Sequence, residues 1–199
     1  MAKRLFDPLA AAAALIVLAP LLLVLAAWIK FDSSGPVFFR QERVGRFGRT
    51  FRIHKFRTMV ADAPQRGPAL TVGEDPRITR AGRWLRRTRL DELPQLIDVL
   101  RGDMSLVGPR PEVPRYVQHY PPGLRERALA VRPGITDPSS LAFLDESARL
   151  AAAADPEREY IEHILPAKLQ AAADYAARAS LWTDLQVMAR TVRLLWLRR

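Results

Sequence analysis

The chain of 199 residues contains no cysteine. Disulfides, thiolate zinc sites and thiol nucleophiles are therefore excluded, while the compartment stays open. Histidine is almost as scarce. His54, His119 and His163 stand far apart, which leaves no histidine-based metal motif. Acidic residues are also in short supply: 21 Asp and Glu face 31 Lys and Arg, a formal net charge of +10. Such an excess points to an anionic partner, whether nucleic acid, an acidic membrane surface or phosphorylated substrates. The chain is long enough for one domain with a core, and too short for two full domains plus a membrane anchor. Neither an internal repeat nor a disordered tail is visible.

Charge is missing altogether from residues 8–29, a run of about 22 that would just cross a hydrocarbon core as a helix. Three readings compete for it. A cleaved signal peptide suits the basic Met1-Ala2-Lys3-Arg4 start. However, the apolar run exceeds the usual length, and Trp28-Ile29-Lys30 makes a poor cleavage site. A single span is the default, but both flanks are basic, with Lys3 and Arg4 before the run and Lys30, Arg40 and Arg43 after it. Neither flank resembles an outside flank. A re-entrant helix puts both ends on one face, and Pro20 in mid-run supplies a bend. Trp28 suits an interfacial anchor.

Beyond this segment, Asp32-Ser33-Ser34-Gly35-Pro36 is a turn signal. Residues 37–44 and 50–57 read as strands around a Gly45-Arg46-Phe47-Gly48-Arg49 turn, which predicts a hairpin. Residues 61–76 read as a loop and residues 79–88 as a basic helix. In Asp91-Glu92-Leu93-Pro94-Gln95-Leu96 a helix is expected to start, with Asp91 as N-cap candidate, Pro94 in the first turn and Gly102 as the stop. Gly108-Pro109-Arg110-Pro111 and Arg132-Pro133-Gly134 read as stiff loops. Residue 151 onward is helical in pattern, and residues 181–196 are amphipathic, with Trp182, Leu185 and Met188 against Asp184 and Arg190. The fold class expected is mixed α/β and helix-rich, with a re-entrant membrane helix over residues 1–31 and a membrane-surface catalytic domain over 32–199.

Asp91 and Glu92 are adjacent carboxylates close to Arg86, Arg87 and Arg89, which favour the ionised forms. An ionised carboxylate can be a nucleophile, a base or a metal ligand. An acidic pair at a helix start is, more commonly, only a cap. Arg110 changes the balance. Its two flanking prolines fix the backbone and remove competing N–H groups, so its planar fork is well placed to grip a phosphate. Lys55 and Arg57 add cationic groups after a strand. A carboxylate beside phosphate-binding cations suggests phosphoryl transfer, assisted by a divalent ion, Mg²⁺ first among them. The competing class is a basic nucleic-acid-binding protein that uses residues 77–89. The apolar anchor and the lack of an aromatic platform argue against it. A third class, a catalytically silent membrane scaffold, fits poorly with intact Asp91, Glu92 and Arg110.

Several stretches carry a family resemblance: Lys3-Arg4-Leu5-Phe6-Asp7, Gly35-Pro36-Val37-Phe38-Phe39-Arg40-Gln41-Glu42-Arg43-Val44-Gly45, Lys55-Phe56-Arg57-Thr58-Met59, Leu90-Asp91-Glu92-Leu93-Pro94-Gln95-Leu96, Gly102-Asp103-Met104-Ser105-Leu106-Val107-Gly108-Pro109-Arg110-Pro111 and Arg132-Pro133-Gly134-Ile135-Thr136. In this order they resemble the bacterial sugar transferase family, the small monotopic phosphoglycosyl transferases. The resemblance implies transfer of a sugar-1-phosphate from a UDP-sugar to a polyprenyl (undecaprenyl) phosphate, with UMP released. It implies Asp91 as covalent nucleophile and Mg²⁺ contact, Glu92 as the group assisting acceptor deprotonation, and Arg110 in a phosphate-binding loop. Lys55, Arg57, Arg86 and Arg132 match basic positions near the site. The partners implied are a UDP-sugar, a polyprenyl phosphate and the lipids of a bacterial inner membrane at its cytoplasmic face. A homodimer is compatible with the sequence, and no nucleic acid is expected. The chain departs from the family pattern at Ala19-Pro20, where a Ser-Pro pair is usual, at Asp98, where Asn is common, and at Asp137, where many members have Gly. With Ser139, Ser140, Asp145 and Glu146, Asp137 resembles the branch associated with exopolysaccharide or capsule assembly. Because nucleotide sugars are cytoplasmic, the re-entrant reading is preferred, with both ends of the segment on one face.

Overall fold

A computed structural model describes residues 2–67, 75–138 and 146–197. The expected markers Ser139, Ser140 and Asp145 lie outside the described residues. Helix α1 (Ala2–Asp32) opens the chain and is continuous, with Pro8 and Pro20 both inside it. By length and composition it is long and apolar enough to cross a membrane. Strands β1 (Phe38–Val44) and β2 (Thr50–Phe56) follow as the expected antiparallel hairpin, paired from Phe38↔Phe56 to Val44↔Thr50. The residues expected as a loop include one helical turn, α2 (Ala63–Arg66), closed at N1/N2 by Pro64. Helix α3 (Arg80–Thr88) starts where expected, because the Thr79 hydroxyl accepts the Gly82 N–H at 3.0 Å.

The chain then reverses at Arg89, which is left-handed (φ 59°) although it is not glycine. A 3₁₀ helix (Leu90–Gln95) runs into α4 (Leu96–Arg101), which Gly102 ends at φ 81°. Short elements fill the rest: β3 (Ser105–Val107), α5 (Pro114–Val117), α6 (Pro122–Ala128), β4 (Gly134–Thr136), α7 (Glu146–Ala152) and α8 (Pro156–Glu159). A π-helical turn (Tyr160–Ile164) then leads into α9 (Leu165–Arg178), and α10 (Leu181–Leu197) closes the described chain.

The core forms where α1 meets the hairpin and α4. Ala11, Ile53, Leu96, Val99 and Met104 pack in one cluster, and Leu25, Ile29, Phe56 and Leu85 in a second. Each fully buried aliphatic side chain of this kind contributes about 1.5–3 kcal/mol. Both ends of α1 are fastened to this body. Near its start, Lys3 pairs with Asp184 and donates to Val107 O and the Tyr175 hydroxyl, both at 2.9 Å, while Ser105 Oγ donates to Asp7 at 2.6 Å. At its end, Arg57 donates to Ser33 O at 2.7 Å and to Ser34 O, and Asp32 accepts the Ala81 N–H at 3.0 Å. Between these anchors, Ile16, Val17 and Leu23 expose their apolar side chains. Trp28 is exposed over part of its ring, which tilts against Trp84 at 5.4 Å.

The two segments expected as stiff loops instead frame a small parallel ribbon, with Ser105↔Gly134 and Val107↔Thr136 in register. Three-residue strands carry too little alternation to be read from sequence. The ribbon demands glycine where it crosses. A Cβ on Gly134 would lie 2.0 Å from Gly108 N and 2.5 Å from Val107 C, which are backbone atoms without room to move. Gly134→Ala should therefore destabilise the protein by about 1–3 kcal/mol, read as a lower urea midpoint in detergent. An unchanged midpoint would mean that the ribbon tolerates separation.

Candidate active site

Asp91 and Glu92 occupy the first turn of the 3₁₀ helix and are 2% and 7% exposed. The sequence placed Asp91 as an N-cap, and this is corrected: Arg89 holds that position, and no side chain caps the turn. The left-handed Arg89 starts the turn that carries the two carboxylates, both of which are buried. Burial without a capping role calls for compensating charge. Lys55, on β2, supplies part of it, with Nζ 2.8 Å from Asp91 Oδ2 and 3.4 Å from Glu92 Oε1. Arg110 supplies the rest through a two-pronged contact, NH2 to Oε1 at 2.7 Å and NH1 to Oε2 at 3.3 Å. Burial by itself would raise the Glu92 pKa. Arg110, Lys55 and the Arg110 hydrogen bond outweigh it and hold the carboxyl well below the usual carboxylate range.

Neighbouring elements set the position of each cation. Arg43 NH1 donates to Pro111 O at 2.9 Å, and Val44 N–H donates to Glu112 O at 2.8 Å, so β1 grips the loop that carries Arg110. Lys55 is positioned by its neighbour His54, whose N–H donates to Asp98 Oδ2 at 2.8 Å and whose Nδ1 lies 2.5 Å from Oδ1. This buried pair bolts β2 to α4. The sequence flagged Asp98 only as a departure from Asn and treated His54 only as too isolated for a metal. The signal that could have joined them is the place of each, directly before Lys55 and in the helix after Glu92. Gln95 is a third residue missed. It is 2% exposed and lines a small cleft together with Lys55 and Arg110.

The remaining expected site residues divide. Arg86 stays close, because the Asp91 charge acts on its guanidinium, and its Nε donates to the Thr58 hydroxyl at 2.9 Å. Arg57 is placed elsewhere. Its guanidinium closes the end of α1, as described above, and Asp32 is the charge that acts on it. Arg132 lies beside Gly102, and its charge acts on Asp7. Both arginines hold the fold around the site, and their sequence proximity to the motifs does not translate into contact.

One atom of the site has no partner. Asp91 Oδ1 is buried and accepts no hydrogen bond among the described residues. A buried carboxylate oxygen without a donor calls for an explanation, such as a catalytic role or a bound ion or water. No cluster of three or more metal-ligating side chains occurs among the described residues. This donor set fits Mg²⁺, which commonly takes one or two carboxylates and completes its shell with water and substrate phosphates.

The fold and the site together define a class: a buried carboxylate dyad paired with Lys55 and Arg110, in a chain whose first helix is long and apolar enough to cross a membrane. The family follows from comparison. The pattern of the bacterial sugar transferase family matches residues 1–198, and the chain belongs to that family. The chain is similar to the UDP-N-acetylgalactosamine-undecaprenyl-phosphate N-acetylgalactosaminephosphotransferase of Aeromonas hydrophila, with 41% identity over 194 residues, 96% of this chain and 43% of the relative. It is equally similar, at 41% over 194 residues, to the UDP-glucose:undecaprenyl-phosphate glucose-1-phosphate transferase of Caulobacter vibrioides, covering 68% of that protein. An exopolysaccharide production protein of Rhizobium leguminosarum is 46% identical over 149 residues, 67% of this chain and 70% of the relative. The chain thus spans less than half of the Aeromonas protein and about two thirds of the Caulobacter one.

Proposed function

We propose that the protein transfers a sugar-1-phosphate from a UDP-sugar to a polyprenyl phosphate, yielding a polyprenyl-diphosphate-sugar and UMP, as a membrane step of exopolysaccharide or capsule synthesis. The observation that carries the reading is the unpartnered Asp91 Oδ1 within a carboxylate dyad paired with Lys55 and Arg110. The names of the similar proteins supply the substrate class: nucleotide sugar donors and undecaprenyl phosphate.

In the proposed sequence the Asp91 carboxylate attacks the sugar-bearing phosphorus, the bond to UMP breaks, and an aspartyl phosphate-sugar intermediate forms. An oxygen of the acceptor phosphate then attacks the same phosphorus, and the Asp91 carboxylate is released. Lys55 and Arg110 neutralise the charge that builds on the transferred group. They are also the partners of Glu92, so a diphosphate that engages them loosens their hold on its carboxylate. Its pKa then rises toward the range in which it can accept the acceptor's proton. Mg²⁺ bound through Asp91 would supply further charge neutralisation at the diphosphate.

The test uses purified full-length protein, polyprenyl phosphate, Mg²⁺ and a panel of UDP-sugars, with UMP as the readout. Absence of UMP with every donor sinks the proposal.

Placement at the cytoplasmic face of the inner membrane, with both ends of α1 on that face, belongs to the same reading. It is supported by the attachment of Lys3 and of the Ile29 end to one body. Because the chain has no cysteine, Ala2→Cys creates a unique thiol. That thiol should resist a membrane-impermeant maleimide added to intact cells and react after lysis. Labelling in intact cells would mean a full span.

A further inference from the structure

A second cleft, of about 40 Å³, has Arg110 in its lining and neither residue of the dyad. The parallel ribbon builds it. β3 leads into Arg110 and β4 into Asp137, and the register Val107↔Thr136, with Gly108 N–H donating to Thr136 O at 3.0 Å, sends both side chains out of the same end. Arg110 forms the wall shared with the dyad, and the charges of Glu112 and Asp137 both act on it. Tyr120 and Lys168 add polar groups, and Leu169 of α9 gives an apolar wall.

The chemistry of this lining differs from that of the dyad. Two carboxylates disfavour a phosphate, yet they accept hydrogen bonds well from hydroxyl groups. Burial, with Glu112 and Asp137 nearby, pushes the Tyr120 phenol up and keeps it a neutral donor. Glu112 is held in place, since the Tyr160 hydroxyl donates to Oε1 at 2.5 Å. Lys168 is already paired with Glu146 at 2.5 Å. The carboxylate acceptors and the phenol donor, set against an aliphatic wall, match a sugar ring, which has hydroxyl edges and an apolar C–H face.

We propose that this cleft is the subsite for the donor's sugar ring, one guanidinium away from the phosphate that Asp91 attacks, with Asp137 and Tyr120 reading its hydroxyl groups. The assignment rests on the proposed reaction and adds to it the part of the chain that selects the sugar.

The experiment measures UMP release by the full-length wild type, Asp137→Ala and Tyr120→Phe, with UDP-glucose and UDP-N-acetylgalactosamine among the donors, and inhibition of each protein by UMP. The KM for the preferred donor should rise about tenfold per lost hydrogen bond, while inhibition by UMP, which carries no sugar, stays within about twofold. Tyr120→Phe removes one oxygen and leaves the packing intact, so it controls for misfolding of the other variant. An unchanged donor KM in both variants overturns the assignment. Weaker inhibition by UMP in parallel with the KM also overturns it, because the cleft would then hold the nucleoside. If the wild type releases no UMP from any donor, the proposed reaction itself fails, an outcome distinct from both.

Discussion

Asp91→Asn should stop UMP release, reducing turnover by about 10⁴-fold or more, the scale on which loss of a covalent nucleophile is felt. The substitution keeps the shape of the side chain. It also leaves Lys55 its contact with Glu92 at 3.4 Å, so the fold should survive. The decisive form of the experiment omits the acceptor. With donor alone, the wild type should release up to one UMP per protein in a burst, because the sugar-phosphate stays on the carboxylate. The Asn variant should show no burst. A stoichiometric burst from Asp91→Asn would remove Asp91 from the nucleophile's role and turn attention to Glu92. The buried, unpartnered Oδ1 is the reason to expect the former result, since Oδ2 is already held by Lys55.

The parts of the fold legible in the sequence were those with local causes. Alternation marked the hairpin, the basic run from Thr79 marked α3, and Gly102 marked the end of α4. Asp91 was legible as chemistry but not as geometry. A residue on a predicted helix start reads as a cap, and only the left-handed backbone at Arg89, which no propensity scale favours in arginine, shows that the turn begins earlier. Arg57 and Lys55 lie two residues apart and look equivalent on paper. β2 ends at Phe56, so Lys55 on the strand meets the dyad, whereas Arg57 beyond it meets the end of α1, some 25 residues back in sequence. The same limit applies to Arg132. Long-range pairings such as Lys3 with Asp184 and His54 with Asp98 leave no periodic trace, since each is set by packing between elements far apart in the chain.

Arg110→Met should lower kcat/KM by about 10²- to 10³-fold, the loss expected when a charge that stabilises the transferred group is removed. Arg110→Lys should recover part of the activity, because an ammonium restores charge without the two-pronged geometry. The pH dependence distinguishes this role from a general weakening of the fold. In the wild type Glu92 titrates well below the ordinary carboxylate range because Arg110 and Lys55 oppose the effect of burial. Its ionised form therefore stabilises the fold above the ordinary carboxylate value, and that contribution is lost as pH falls through the depressed one. Without Arg110 burial is opposed by Lys55 and the more distant Arg89, so the Glu92 pKa moves up. The acid limb of the activity profile should then shift to higher pH, and the stability lost to Glu92 protonation between pH 7 and the acid end should shrink. Rate profiles and urea midpoints for wild type and Arg110→Met, taken across the same buffers, read both effects. An activity loss with an unmoved acid limb would mean that Arg110 serves the substrate phosphate alone and does not set the charge state of Glu92.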